Sequence, residues 1–320
     1  MYAPRKASHL RPFFNCGRMA LHSSATTFNN SIRSSPDAKS IAHTKPKEEI
    51  RLTGAEEMLL PVVFLKAEDA KSDEPILGDP YSQQLLDRCA IDYSRTHFTR
   101  DYRYIKWVTT RAKQFDDWCQ AFLNTHHGCP VTVLHIACGL DCRALRIDRE
   151  PNVRWIDVDL PLAVDLRTRL IPQPQGDYTL RALDVTKEGW LSDMPADRPT
   201  LVIAEGLLMY LKPAEGEKLF KDVAGHFDHG EIFFDTVGSF TTKFTSVVKI
   251  LRSSGSTFGW GIDNARKQIE PLHPKLSLKE QIVWGDFMKS HPPVFGEIGT
   301  SLACLFPRFK NNLQLLRFQF

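Results

Sequence analysis

The stretch Val131 to Ile147, VTVLHIACGLDCRALRI, limits what this chain can fold into more than any other. Val131 to Ala137 are mostly apolar or β-branched, which suits a strand buried on both faces. The small residues Ala137-Cys138-Gly139 then predict a turn, and Asp141 predicts the cap of a helix whose body begins at Cys142. A strand that stops on small residues and opens a helix presents bare backbone to a ligand at the C-terminal edge of a sheet. Twenty residues past Gly139, Asp159 closes a second strand-like run, Val153 to Val158. An acidic side chain there can accept both hydroxyls of a ribose. This half of the chain reads as a nucleoside-binding Rossmann-type unit.

The turn discriminates between nucleosides. A dinucleotide fingerprint needs glycine at its first, third and sixth positions, which here hold Ala137, Gly139 and Cys142. Only the middle glycine is present, and Asp141 brings a negative charge towards any pyrophosphate. NAD and FAD are disfavoured. S-adenosylmethionine, with a ribose and no phosphate, fits the same turn.

Strand and helix signals alternate through the middle of the chain. Arg111 to Leu123 places Phe115, Trp118, Cys119 and Phe122 on one helical face. Further strands are predicted at Thr179 to Leu183, Thr200 to Ala204 and Glu231 to Asp235, with a helix over Ala214 to Phe227. This rhythm predicts an α/β fold with a doubly wound, mostly parallel sheet. Residues 50–100 read as helical, punctuated at Pro75 and Asp79-Pro80. Residues 240–298 are rich in Pro, Gly and Ser and read as a helical lid, after which Leu302 to Leu305 and Leu313 to Phe318 predict a terminal antiparallel pair. The expected organisation is a tail over 1–45 and one domain over 46–320, divided into a cap (46–110), a core (111–239), a lid (240–298) and terminal strands (299–320).

Charge separates the tail from the body. Residues 1–45 hold seven Lys or Arg and one acid, Asp37, which leaves 34 basic and 37 acidic residues in the rest. A mildly acidic body argues against a nucleic-acid partner. The Ser-rich, acid-poor tail is compatible with a disordered leader and with mitochondrial targeting; a cytoplasmic location is otherwise expected. Seven cysteines without a CxxC pair predict a reduced protein with no metal site. No apolar run reaches the ~18 residues of a membrane span.

Several motifs, in order, resemble the leucine carboxyl methyltransferase superfamily, in its branch of polyketide O-methyltransferases. They are Leu52-Thr53-Gly54, Glu57, Lys66-Ala67 and Asp79-Pro80; Arg111 with Asp116 or Asp117; Cys138 to Arg143; Asp157 to Pro161; Leu183-Asp184-Val185; Ala204 to Leu211; and Phe258 to Ile262. The resemblance covers roughly residues 50–320. It implies a Rossmann-like class I methyltransferase fold with an N-terminal cap and a lid insertion, S-adenosylmethionine as cofactor, and methyl transfer to the oxygen of a small molecule, an aromatic compound or polyketide of secondary metabolism. Ala137 departs from the family by replacing a glycine, and Asp157 by replacing a glutamate.

The resemblance also implies roles. Arg111 meets the methionine carboxylate and Gly139 offers backbone beside the amino acid. Asp159 holds the ribose. Asp184 accepts from the adenine amino group, with Val185 beside it, and Glu205 lines the methionine end near the sulfonium. Bland roles compete: Arg111 paired with Asp116 or Asp117 on its own helix, Asp159 and Asp184 as helix caps, Asp157 behind the site or facing solvent. Arg143 and Trp260 read as architecture and lid packing, His135 as core. A carboxylate at the end of four apolar residues, Glu205 is costly to bury without a partner. Of the histidines, only His97, His273 and His291 lie on segments that can reach a ligand edge. The absence of an evident base favours a carboxylate over a phenol as acceptor. Two other activities remain open: methylation of a protein C-terminal carboxylate, and a degenerate fold that only binds.

Overall fold

The computed structural model describes residues 47–50, 52, 54–91, 93, 98, 100–243, 257–283 and 312–320. Its centre is a seven-stranded sheet built where the apolar runs are. The strands are β1 (Val131–Ile136), β2 (Val153–Asp159), β3 (Tyr178–Ala182), β4 (Thr200–Ala204), β5 (Gly230–Val237), β6 (Ser277–Val283) and β7 (Leu313–Gln319). Their spatial order is β3-β2-β1-β4-β5-β7-β6, with the first five parallel and β7 antiparallel to both neighbours. Alternation sends successive side chains to opposite faces. Leu134, Ile136, Val202, Ala204, Ile232 and Phe234 pack one way, onto Leu219, Phe220 and Val223; Val131, Val133, Leu201, Ile203 and Phe233 pack the other, onto Phe115, Trp118 and Phe122. Helices on both faces of a parallel sheet make the expected doubly wound architecture. The chain order reverses between β1 and β4, and ligands bind at the C-terminal strand ends beside such a switch point.

The helices are α1 (Leu59–Ala70), α2 (Pro80–Asp87), α3 (Tyr102–Thr125), α4 (Arg143–Arg146), α5 (Pro161–Leu170), α6 (Pro213–His226), α7 (Ser239–Lys243) and α8 (Ala265–Ile269). Asp79 caps α2 by accepting from the Tyr81 N–H, with Pro80 in the first turn. In α3 the four predicted face residues are all buried. That helix is 24 residues long and starts at Tyr102, so the expected cap boundary at 110 falls inside it. Tyr102 to Lys106 carry no apolar stripe, and sequence periodicity therefore missed the first turns. α1 and α2 form the cap, packing Leu60, Val63, Leu85 and Leu86 against Leu140, Leu166 and Leu170.

Two further expectations change. β7 pairs antiparallel with β5 on one side and on the other with β6, which lies inside the region read as a helical lid. β6 is largely exposed and polar, which hid its strand character. The predicted strand at 302–305, together with 244–256 and 284–298 of the lid, lies outside the described residues, as do residues 1–45. Asp157 does not face solvent. It is fully buried between β1 and β3, where it pairs with Arg167 and accepts from Trp155 Nε1 (2.8 Å) and the Tyr178 hydroxyl (2.9 Å). Trp260 packs as expected: its ring fills the space above Gly216 of α6, where a Cβ would lie 2.1 Å from it. No helix among the described residues is long and apolar enough to cross a membrane.

Candidate functional site

The turn after β1 carries its ligand-facing backbone in a strained form. Ala137 and Gly139 both have left-handed φ, 49° and 50°. At Gly139 a side chain is excluded, because a Cβ would lie 2.7 Å from Leu59 Cδ2 of the cap. Ala137 is the one described non-glycine residue in this region of φ, a conformation that costs an L-residue roughly 1–2 kcal/mol. Ala137→Gly is therefore expected to stabilise the protein by about 0.5–1 kcal/mol, after the greater entropy of an unfolded glycine is deducted. Urea denaturation checks this; a loss of stability would show that the alanine methyl contributes more by packing than it costs in strain.

Neighbours hold the turn in place. Arg167 of α5 donates to the carbonyls of Gly139 (2.9 Å) and Asp141 (2.7 Å). Asp159, at the end of β2, accepts from the Gly139 N–H at 2.6 Å and the Leu160 N–H at 2.7 Å, and burial raises its carboxyl pKa. Asp141 accepts from the Arg143 N–H at 2.7 Å, but α4 begins at Arg143 with Cys142 at its N-cap, one residue later than expected. Its charge is not left open towards the cavity: Lys66 Nζ lies 2.8 Å away and Arg146 2.7 Å. Asp141 is thus compensated by Arg146, five residues on, and by Lys66, 75 residues away in the chain, and it presents no bare charge to a phosphate.

Behind the turn lies a buried ionic network. Arg111 does not pair within α3. Its Nε donates to Glu205 and its Nη1 to Asp235, each at 3.0 Å. Asp116 instead receives Arg143 and Arg146, and Asp117 receives Lys113. Arg143, wholly buried, also donates to Glu205 Oε2 at 2.7 Å. Burial pushes the Glu205 carboxyl up, but Arg111 and Arg143 outweigh it and hold it at about 2. For Asp235 burial prevails over Arg111 and the Gly206 N–H, and its pKa is raised. Across the network five carboxylates (Asp79, Asp116, Asp141, Glu205, Asp235) face four cations (Lys66, Arg111, Arg143, Arg146), an excess of one negative charge with all ionised.

All six residues singled out for cofactor binding, Arg111, Gly139, Asp159, Asp184, Val185 and Glu205, line a single cavity of about 1110 Å³. Asp184 accepts from the Thr186 N–H (3.0 Å) and hydroxyl (2.6 Å), a local turn that lowers its pKa. Arg111 Nη2 has no hydrogen-bond partner among the described residues, so the guanidinium keeps donor capacity on the cavity wall. Away from the ionic end the lining is apolar and aromatic, with Trp107, Met209, Tyr210, Val237 and Phe258. The rings of Tyr210 and Phe258 meet edge to face at 5.3 Å, and the Gly259 N–H donates to the Met209 carbonyl at 2.7 Å.

Sequence reasoning gave no site role to Asp235, Lys66 or Glu56, which also line the cavity, although Lys66 belongs to a motif it named. Asp235 follows Ile232-Phe233-Phe234 just as Glu205 follows an apolar run, and that repeated pattern was a usable signal. Lys66 interrupts the apolar face of α1, a second one. Among the histidines, His97 and His291 lie outside the described residues, and His273 does not line the cavity. His135 is buried, with Asp157 3.3 Å from Nδ1 and Arg143 3.4 Å from Nε2.

The geometry fits S-adenosylmethionine. Its amino-acid end can meet the free donors of Arg111, its net positive charge suits the acidic excess, and the volume exceeds the ~300–1,000 Å³ of common single-ligand sites. Comparisons with known sequences agree. The chain is 40% identical over 276 residues to the tetracenomycin polyketide synthesis O-methyltransferase of Streptomyces glaucescens, covering 85% of this chain and 99% of that protein. It is 38% identical over 256 residues to the S-adenosyl-L-methionine-dependent methyltransferase dpfgK of Gibberella zeae, covering 75% and 85% respectively. Among solved structures, the plantazolicin methyltransferase BpumL in complex with a pentazolic desmethylPZN analogue and SAH is 11% identical, at TM-score 0.44 over 82% of this chain and 98% of that one. The leucine carboxyl methyltransferase family model matches residues 60–224, more than half of the sequence, and with the two relatives it establishes that the chain belongs to that family of S-adenosylmethionine-dependent methyltransferases.

Proposed function

We propose that the protein methylates the carboxylate of a small aromatic acceptor, a polyketide or a molecule of similar shape. The observation that carries this reading is the division of the cavity into an ionic end at the strand termini and an apolar, aromatic end at Trp107, Met209, Tyr210 and Phe258. A flat apolar acceptor suits the second end, and the polyketide in the name of the Streptomyces relative belongs to the same class. Among the described residues, the one histidine on the cavity wall, His135, has its ring nitrogens against Asp157 and Arg143. A carboxylate, with pKa near ~4, is ionised at neutral pH and needs no base, whereas a phenol near ~10 does.

In this reading Arg111 uses Nη2 on the cofactor carboxylate and Glu205 sits near the sulfonium. The Gly139 backbone lies beside the amino acid, Asp159 at the ribose, and Asp184 with Val185 at the adenine. Bound S-adenosylmethionine supplies an electrophilic methyl group. The chain's part is to align the acceptor oxygen and exclude water. Incubation with radiolabelled S-adenosylmethionine and a polycyclic aromatic acid bearing both a carboxyl and a phenol tests this. Label in an alkali-labile ester is expected, and none when the carboxyl is already esterified. Label in an alkali-stable ether, or transfer only to a peptide C-terminal carboxylate, would overturn it.

A further inference from the structure

We propose that Glu56, on the 3-10 turn Gly54–Met58 that opens the cap, is a second acceptor for the ribose hydroxyls of S-adenosylmethionine, shared with Asp159. The proposal rests on the placement of the ribose at Asp159. Both carboxylates line the same cavity. The cap lies directly over the turn after β1, since Leu59, three residues past Glu56, touches the space above Gly139. Each Asp159 oxygen already accepts a backbone N–H, from Gly139 and from Leu160, so Asp159 has limited capacity left for two hydroxyls. Glu56 is half-buried, and no donor or cation among the described residues pairs with it. Burial, and then the charge of Asp159, raises its pKa. Arg167 acts on Asp159 only from beyond ion-pair distance, and no ion pair among the described residues joins either carboxylate to a cation; two carboxylates so placed are unfavourable unless donors bridge them. A vicinal diol brings one donor for each. The arrangement would make the cap part of the cofactor site, closing it from above while the sheet edge holds it from below.

Calorimetric titration with S-adenosylhomocysteine and with its 2′,3′-dideoxyribose analogue tests this on the wild type, Glu56→Ala, Glu56→Gln and Asp159→Asn. Glu56→Ala is expected to weaken S-adenosylhomocysteine about 10-fold, the effect of one charge-assisted hydrogen bond, and to leave the dideoxy analogue unchanged. Glu56→Gln keeps an acceptor and should lose only about threefold. Equal losses for both ligands would show that Glu56 acts only by supporting the cap, and an unchanged affinity for S-adenosylhomocysteine would exclude any contact; either overturns the proposal. A hydroxyl-dependent loss in Asp159→Asn but not in the Glu56 variants overturns this proposal alone. Absence of hydroxyl dependence in Asp159→Asn overturns the ribose placement, and the role of Glu56 with it.

Discussion

Arg143→Ala is expected to destabilise the protein by about 3–5 kcal/mol, because it removes one member of a buried ionic network and leaves the others uncompensated. Arg143 has no exposed surface, and its guanidinium donates to Asp116 at 2.6 Å and Glu205 at 2.7 Å. It also lies 5.8 Å from the centre of the Phe115 ring. Packing alone does not account for the expected loss, and Arg143→Met separates the two contributions. The methionine keeps an apolar stem and should still lose most of the stability if the charge matters. The acid limb gives a second readout. Glu205 titrates at about 2 in the folded protein, against ~4.3 for an unperturbed glutamate. A carboxyl depressed by folding stabilises above its unfolded pKa, and that contribution, about 3 kcal/mol, disappears as pH falls from ~4 to ~2. Without Arg143 the Glu205 pKa rises, and the drop in stability across this window should shrink. Urea titrations at pH 7 and through the acid range measure both effects. A variant within about 1 kcal/mol of the wild type, with an unaltered acid limb, would mean that the network adds little to folding.

The centre of the parallel sheet was legible because β1 and β4 are buried on both faces and are mostly apolar or β-branched in sequence. The exposed strand β6, with Lys279, Glu280 and Gln281 in sequence, has no such signal, and only its pairing with β7 makes it a strand. A carboxylate that ends an apolar run is costly to bury without a partner; that supported the role the resemblance implies for Glu205, and the same signal was available for Asp235. Their partners could not be read this way. Arg111 and Glu205 are 94 residues apart and Lys66 and Asp141 are 75 apart, so those pairings depend on how α3 and the cap dock on the sheet edge. Local spacing offered Asp116 or Asp117 as an alternative partner for Arg111. That alternative is not realised, because Asp116 is taken by Arg143 and Arg146, which approach from the turn after β1, and Asp117 by Lys113. The left-handed backbone at Ala137 was foreshadowed by its position, where the dinucleotide fingerprint has glycine, although composition alone gives no measure of the strain.

Arg111→Ala and Glu205→Gln should affect the two forms of the cofactor differently. β1 and β4 are adjacent in the sheet, and Arg111 and Glu205 meet at their C-terminal ends, on the wall of one cavity. Two of the guanidinium nitrogens are occupied by Glu205 and Asp235, which leaves Nη2 without a hydrogen-bond partner among the described residues, on a side chain that lines the cavity. If that donor holds the cofactor carboxylate, Arg111→Ala should weaken S-adenosylmethionine and S-adenosylhomocysteine alike, by about 10- to 150-fold, equivalent to roughly 1.5–3 kcal/mol for a charge-assisted contact. The carboxylate is common to both ligands, so their ratio should not change. Glu205→Gln preserves size and removes a negative charge. Only S-adenosylmethionine carries a sulfonium, and even at the dielectric of water a charge at ~4 Å is worth about 1 kcal/mol, so its affinity should fall at least about fivefold more than that of S-adenosylhomocysteine. Both variants disturb buried pairs and will lose stability, so affinities are to be compared on folded protein, with the ratio between ligands cancelling the shared loss. Unchanged affinity in folded Arg111→Ala would remove Arg111 from the cofactor site and leave it as a brace between β4 and β5. An unchanged ratio in Glu205→Gln would place the sulfonium away from the end of β4, and the acceptor oxygen with it.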